Sequence, residues 1–166
     1  MPHHFLHLRL RPRFLLLLVL LSCAACAQQK NDNAQAAVAS TEVTTRGSVE
    51  VTAELVEVPE GAIFKRDLYN YATILKYKVV QVHRGTVDGE YLYVGHYNPW
   101  KARSEVTDDR VQDVGGSVRS FRAGETHRMA LEVPIDDYFM GGIVNKYFEQ
   151  ATGPLYWAVW TDVWDE

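Results

Sequence analysis

The chain has 166 residues, of which 47% are hydrophobic, with 17 basic and 21 acidic side chains and a formal net charge of −4. This length predicts one domain that can bury a hydrophobic core without disulfides or metals. The acidic balance argues against nucleic acid as a partner, because like charges repel at long range.

The N-terminus has the three parts of a secretory signal peptide. Residues 1–13 are basic, residues 14–21 are an unbroken apolar run, and residues 22–27 are mostly small. The apolar run is too short to span a bilayer stably, so we predict an export signal over residues 1–27. Taking its three arginines from the 17 basic residues leaves 14 against 21 acidic ones, a formal net charge of −7 for the remainder.

Both cysteines, Cys23 and Cys26, lie at the end of this leader. Leu20-Leu21-Ser22-Cys23 resembles the lipobox of bacterial lipoproteins, in which the cysteine is lipidated, and Cys26 is a second candidate for lipidation. Ala25-Cys26-Ala27 also fits simple cleavage before Gln28. Two products therefore stay open: a lipid-anchored protein of the periplasm or outer membrane, which contacts the membrane only through that lipid, and a soluble secreted protein.

Residues 28–46 are polar and lack hydrophobic periodicity, which predicts a disordered tether before a folded domain over residues 47–166. Strand signals dominate that domain. Strands are predicted over residues 49–55, 71–83, 90–95, 126–133 and 155–163. In the second strand the apolar phase shifts at Val80, which predicts a bulge.

Two segments interrupt the strand pattern. Residues 98–120 are polar and charged and predict a long loop, whereas residues 143–150 predict one short helix after two glycines. About five strands, one short helix and no alternation of strands with helices predict a mainly β fold, a small antiparallel barrel or sandwich.

The order of a strand, a long coiled strand and a short strand is similar to that of the OB-type barrels of netrin-like and tissue-inhibitor-like domains. The residues that carry this resemblance are Tyr77, Val79, Val82, Gly85, Leu92 and Val94. A closer resemblance is to small uncharacterised envelope proteins found near polysaccharide O-acetylation machinery. It is carried by Val94, His96, Trp100, Gly124, His127, Ala130, Leu131, Pro154, Leu155, Tyr156 and Trp157. The resemblance implies an OB-like barrel in the cell envelope, and it supplies no catalytic residues to assign to this sequence.

The densest candidate site follows the third predicted strand. His96, Tyr97, Asn98 and Trp100 combine an imidazole, an amide and two aromatic rings. Aromatic faces stack on sugar rings, and amide and imidazole groups bond hydroxyls, so these four residues predict a ligand-binding platform. The alternative is that Tyr97 and Trp100 close the barrel end while His96 bonds a loop carbonyl.

No motif predicts catalysis, a metal or a cofactor. The three histidines after the leader, His83, His96 and His127, lack zinc-ligand spacing, and no nucleophile motif is present. His127 shares its strand phase with apolar residues, which predicts a core position. Asp108-Asp109 and Asp136-Asp137 are adjacent pairs, typical of solvated loops or helix caps.

The C-terminal run over residues 156–164 carries three of the four tryptophans. Period-two alternation predicts one face with Tyr156, Trp160 and Trp164 and an opposite face with Trp157, Val159 and Val163. One face belongs to the core. The other is either an exposed aromatic surface for a partner or glycan, or is covered by the long loop or the helix.

We therefore predict a non-catalytic exported domain that binds an envelope polysaccharide or a protein partner. Two alternatives stay open. A weak hydrolase or transferase would use His96 or His127 with a carboxylate, within hydrogen-bond reach in a cleft. A purely structural lipoprotein would bury its C-terminal aromatic residues and have no cleft.

Overall fold

The computed structural model describes residues 41–59 and 69–164. The predicted signal peptide with Cys23 and Cys26, and residues 28–40 of the predicted tether, lie outside the described residues. Within the described ranges, no helix is long and apolar enough to cross a membrane.

Strands dominate the domain. They are β1 (Val49–Glu57), β2 (Ala72–Arg84), β3 (Tyr91–Tyr97), β4 (Thr126–Glu132), β5 (Ile143–Val144) and β6 (Tyr156–Val163). Helical structure in the described part of the chain is limited to residues 41–45 and two 3-10 turns, Arg103–Glu105 and Ile135–Asp137. The five longer strands match the five predicted ones, so the prediction of a mainly β fold is confirmed.

Five of the strands close into a barrel. β1 pairs with β2 and β4, β2 pairs with β3, and β6 joins the two ends by pairing with β3 and β4. Three successive strands and a fourth that returns beside the first form a Greek key, and a five-strand Greek-key barrel is OB-like. The predicted barrel is confirmed, but its sheet is mixed, because β6 runs parallel to β3 and β5 runs parallel to β2.

Alternate side chains of these strands fill the barrel interior, as a period of two requires. The cluster comprises Val49, Val51, Ala53, Leu55, Leu75, Tyr77, Leu92, Val94, Met129, Leu131, Tyr156 and Ala158. The bulge predicted in the second strand is also present. Thr52 pairs with Gln81 and Ala53 with Val79, so Val80 is an extra residue between them and is 57% exposed.

A second apolar cluster lies outside the barrel wall. It comprises Ala72, Ile74, Tyr97, Val106, Val114, Ile135, Phe139, Tyr147 and Trp157. Successive strand residues point to opposite faces, so Tyr156 enters the barrel whereas Trp157 faces this outer cluster. The long loop contributes two valines to the cluster, and its Gly115 forms an isolated bridge with Trp160 of β6.

The short helix predicted over residues 143–150 is not formed, and that prediction is wrong. Ile143 and Val144 form β5 instead, which pairs with the first two residues of β2. The pairing of β2 with β1 ends at Lys76, so the start of β2 has an edge that β5 can use. β-branched residues favour this extended backbone over a helix.

The ordered domain begins before Gly47, where the sequence predicts its start. Residues 41–45, predicted as tether, are helical, and Val43 is fully buried. The guanidinium group of Arg84 holds this segment by donating hydrogen bonds to backbone carbonyls within residues 44–47.

β6 does not keep the predicted alternation of its aromatic residues. Its pairing with β4 shifts by one residue at Val159, which is a bulge. Tyr156 therefore belongs to the barrel interior, whereas Trp160 lies outside with the guanidinium carbon of Arg46 5.0 Å from its ring centroid. The prediction that Tyr156, Trp160 and Trp164 share one face is wrong.

Gly116 tests the packing of the long loop on β6. Its φ is +138°, and a Cβ there would collide with the backbone carbonyl of Thr161. We expect Gly116→Ala to lower the free energy of unfolding by about 3 kcal/mol, because the backbone must move. Gly89 has a φ of +91° and open space around it, so Gly89→Ala should cost only about 1 kcal/mol of backbone strain. Urea denaturation measures both, and equal losses would contradict the contact.

Candidate functional site

The four predicted ligand-binding residues do not form one platform. His96 is fully buried among side chains inside the barrel, whereas Tyr97 belongs to the outer cluster, because consecutive strand residues point to opposite faces. Asn98 is also buried, and its Oδ1 accepts a hydrogen bond from the backbone N–H of Tyr71 at 3.2 Å. Trp100 packs on Tyr71 with ring centroids 4.9 Å apart.

Two histidines and a tyrosine form a hydrogen-bonded chain inside the barrel. Tyr77 Oη lies 3.1 Å from His96 Nε2 and 3.2 Å from His127 Nδ1. All three side chains are fully buried, so the predicted core position of His127 is confirmed. A hydroxyl group donates to one imidazole and accepts from the other, so both imidazoles are bonded in their neutral forms.

Burial keeps these three hydrogen-bonded side chains uncharged at neutral pH. Desolvation lowers the pKa of His127 to about 4 and, together with the charge of Arg103, places the pKa of His96 well below its ordinary value. Desolvation also raises the pKa of Tyr77. Glu125 Oε2, 3.6 Å from His127 Nε2, favours the charged imidazole but does not offset its burial.

Arg103 is the cation beside these three side chains, and it is only 2% exposed. Its Nη2 donates hydrogen bonds to the carbonyl oxygens of Tyr97 and Asn98, both at 2.8 Å. Its guanidinium carbon lies 5.2 Å from the centroid of the Phe121 ring, which is itself 4.6 Å from the imidazole of His96. Desolvation lowers the pKa of Arg103 to about 10. Arg103 therefore links the interior chain to the backbone that carries Tyr97.

The outer cluster opens into a cleft of about 580 Å³. Tyr97, Phe139 and Trp157 line it, and the rings of Phe139 and Trp157 stack with centroids 4.7 Å apart and planes at 12°. The polar side chains that line the cleft are Asn70, Arg110, Gln112, Asp113, Glu132 and Tyr138. This volume and this combination of aromatic walls with a few polar groups are typical of small-ligand sites.

Asp108 holds the long loop against this cleft. Its Oδ2 accepts hydrogen bonds from the Tyr97 hydroxyl at 2.5 Å and from Asn70 Nδ2 at 2.8 Å. Its Oδ1 accepts from the backbone N–H groups of Arg110 at 2.9 Å and Val111 at 3.0 Å. Burial raises the pKa of Asp108, but these bonds outweigh it and lower that pKa overall. Burial and the bond to Asp108 raise the pKa of Tyr97 to about 12.

Asp108 is half-buried in the loop and caps backbone amides, whereas its neighbour Asp109 is exposed. The sequence signal that could have found it is an aspartate placed two and three residues before the backbone amides that it caps, the pattern of an Asx turn. Its partners Tyr97 and Asn70 lie too far away in sequence for such a pattern to show them.

Neither buried histidine lines the cleft. The separation of 3.6 Å between His127 and Glu125 is also longer than a normal hydrogen bond. Among residues 41–59 and 69–164, no group of three or more His, Cys, Asp or Glu side chains could hold a metal ion. The geometry that the hydrolase alternative needs, an imidazole bonded to a carboxylate in a cleft, is not formed by these two histidines.

Comparison with known proteins gives no match, because no protein-family model, no curated protein and no solved structure is significantly similar to this chain.

The two buried imidazoles predict a stability that falls in acid. Below the ordinary imidazole pKa of 6.5 the unfolded chain binds a proton on each, whereas the folded chain does not. The free energy of unfolding should therefore fall from pH 6.5 towards pH 4, by about 1.4 kcal/mol per pH unit for each histidine. Urea denaturation at several pH values measures this slope. His96→Gln and His127→Asn should each reduce it, whereas the control His83→Gln should keep most of it.

Asp108→Ala tests the anchor of the long loop. Loss of four hydrogen bonds to a carboxylate should lower the free energy of unfolding by about 2 kcal/mol. The matched control is Asp109→Ala at the exposed neighbouring position, which should change it by less than about 0.5 kcal/mol. Chemical denaturation compares the two variants, and similar losses would mean that Asp108 does not anchor the loop.

Proposed function

We propose that this domain binds a polysaccharide of the cell envelope in the cleft beside its barrel and does not act as an enzyme. The observation that carries the proposal is the composition of the cleft. Its lining includes the nearly buried rings of Tyr97, Phe139 and Trp157, the half-exposed ring of Tyr138 and several other hydrogen-bonding side chains. Sugars present apolar ring faces and many hydroxyl groups, which need both kinds of surface.

The size and charge of the cleft agree with this ligand class. A volume of about 580 Å³ accommodates a short segment of a glycan chain. Arg110 and Asp113 are exposed charges of opposite sign, and Gln112 between them is an exposed amide. Such a mixed lining can hydrogen-bond hydroxyl, carboxylate and acetyl groups without requiring a strongly charged ligand.

The cleft is also rigid in a way that favours binding. The carboxylate of Asp108 holds the Tyr97 hydroxyl and two amides of the loop, and the Phe139 ring is fixed by its stack on Trp157. A wall that is ordered before the ligand arrives loses little conformational entropy on binding.

The proposed location rests on the leader. An export signal over residues 1–27, with Cys23 or Cys26 as lipid attachment sites, would place the domain where envelope polysaccharides occur. The resemblance to envelope proteins near O-acetylation machinery supports the same setting, and we propose it on that basis.

Binding of oligosaccharides tests the proposal. We would purify the processed protein from the cell envelope and titrate it by calorimetry with oligosaccharides from partial hydrolysis of the host's envelope polysaccharide. Arg110→Ala removes an exposed charge from the cleft lining and should weaken binding about tenfold, the loss of one charge-assisted hydrogen bond.

The matched control is Arg122→Ala, which removes an exposed arginine that lies in the same connection from β3 to β4 but does not line the cleft. It should leave the dissociation constant unchanged. Absence of binding to the unaltered protein, or equal losses in the two variants, would contradict the proposal.

A further inference from the structure

We propose that proton uptake by His96 and His127 loosens the cleft wall at Tyr97, so that the cleft releases its ligand in acid. The proposal takes the ligand from the proposed function, but the link between the barrel interior and the cleft wall stands on contacts within the chain. It concerns regulation of the same cleft.

The groups that face the two imidazoles come from every element packed against them. Tyr77 of β2 lies between the imidazoles, Arg103 of the first 3-10 turn adds a positive charge, and Glu125 before β4 adds a negative one. The other neighbour is the uncharged ring of Phe121. Among these groups the only negative charge is that of Glu125, which lies beside His127 and not beside His96.

His127 is the first proton acceptor, because its Nε2 faces Glu125, whose side chain is 33% exposed and open to solvent. A protonated imidazole donates hydrogen bonds from both nitrogens and accepts none. Its Nδ1 then donates to Tyr77 Oη, which must turn its own proton towards His96 Nε2. The first proton therefore fixes which group donates in each of the two hydrogen bonds, and it breaks neither bond.

A second proton, on His96, breaks the chain. Both imidazoles would then donate to Tyr77 Oη, whose own proton would lose its acceptor. The His96 tautomer that accepts at Nε2 already carries its proton on Nδ1, which is buried with no hydrogen-bond partner in the described part of the chain, so the second proton can bind only at Nε2. Two imidazolium ions and Arg103 would also share one buried region with a single carboxylate, and their repulsion is strong where water is excluded.

Arg103 transmits this repulsion to the cleft. Its guanidinium group holds the carbonyl oxygens of Tyr97 and Asn98, so its displacement frees the backbone at the end of β3. The Tyr97 hydroxyl is bonded to Asp108, which in turn caps the amides of the loop. Movement of Tyr97 therefore displaces Asp108 and, with it, the turn at Arg110, which lines the cleft.

Nuclear magnetic resonance of the full processed protein tests this link without a ligand. During a titration from pH 7.5 to 3, the backbone amide signals of Arg110 and Val111 should shift with the same midpoint as the His96 imidazole signals, because the second proton is the one that breaks the bonds. That midpoint should lie below the His127 pKa of about 4. A shift that persists in His96→Gln would come from Asp108, whose pKa also lies below its usual 3.8, and would overturn the proposal.

Two variants and a control assign the effect. His96→Gln and His127→Asn each replace the bonded ring nitrogen by an amide that does not titrate, and both should abolish the shift. His83→Gln should keep it, because His83 bonds Thr52 elsewhere on the barrel. Imidazoles that titrate while the two amides stay fixed would overturn the proposal. So would a single transition of all amides, which would show that acid unfolds the domain as a unit.

The oligosaccharides of the calorimetric experiment separate this proposal from the proposed function. Their dissociation constant should be at least about fivefold higher at pH 3.5 than at pH 7, the lower end of usual coupling between sites, and should stay constant in His96→Gln. Shifting amides with no binding at any pH would contradict the glycan ligand alone. Equal dissociation constants at both pH values, together with amide signals of Arg110 and Val111 that do not shift, would contradict the acid response alone.

Discussion

β6 hydrogen-bonds to β3 on one side and to β4 on the other, and this double pairing closes the barrel. Closure fixes the direction of every side chain on β6, so Tyr156 and Ala158 complete the interior and Trp157 faces outward. The long loop then packs on the outer side of the same strand, where Gly115 meets Trp160. The cleft exists because this loop rests on β6 and covers only part of the outer cluster.

The barrel wall at the end of β3 carries different chemistry on its two faces. Inside, neutral imidazoles and a tyrosine hydroxyl satisfy one another in a space that excludes water. Outside, aromatic rings and exposed polar groups line an open cleft. Buried polar networks are costly when a member is left unsatisfied, and the Tyr77 hydroxyl keeps both of its bonds to the imidazoles only while at least one imidazole is neutral. Arg103 lies beside the buried imidazoles and donates hydrogen bonds to the backbone carbonyls of Tyr97 and Asn98. A change in the buried network can therefore displace the backbone that carries Tyr97 in the cleft.

Strands and bulges could be predicted from the sequence where they depend on local periodicity. Alternation over residues 49–55 and the phase shift at Val80 predicted a strand and a bulge that are both present. The helix over residues 143–150 was predicted wrongly, because the edge of β2 that captures this segment is distant in sequence. Of the predicted site, Tyr97 lines the cleft, whereas His96 lies across the wall, which strand alternation alone could have indicated. Strand register and loop packing, which no local pattern contains, bring Phe139 and Trp157 to the cleft and place Asp108 where it holds the loop beside it.

We propose that the cleft beside the barrel binds a glycan. The most direct test is a titration of the isotope-labelled protein with oligosaccharides from the host's envelope polysaccharide, followed by amide and indole signals. We expect the largest changes at the indole N–H of Trp157 and at the amides of residues 110–114 and 138–141, which line the cleft. Changes confined to other surfaces, such as the exposed side of β2, or no changes at saturating oligosaccharide, would contradict it.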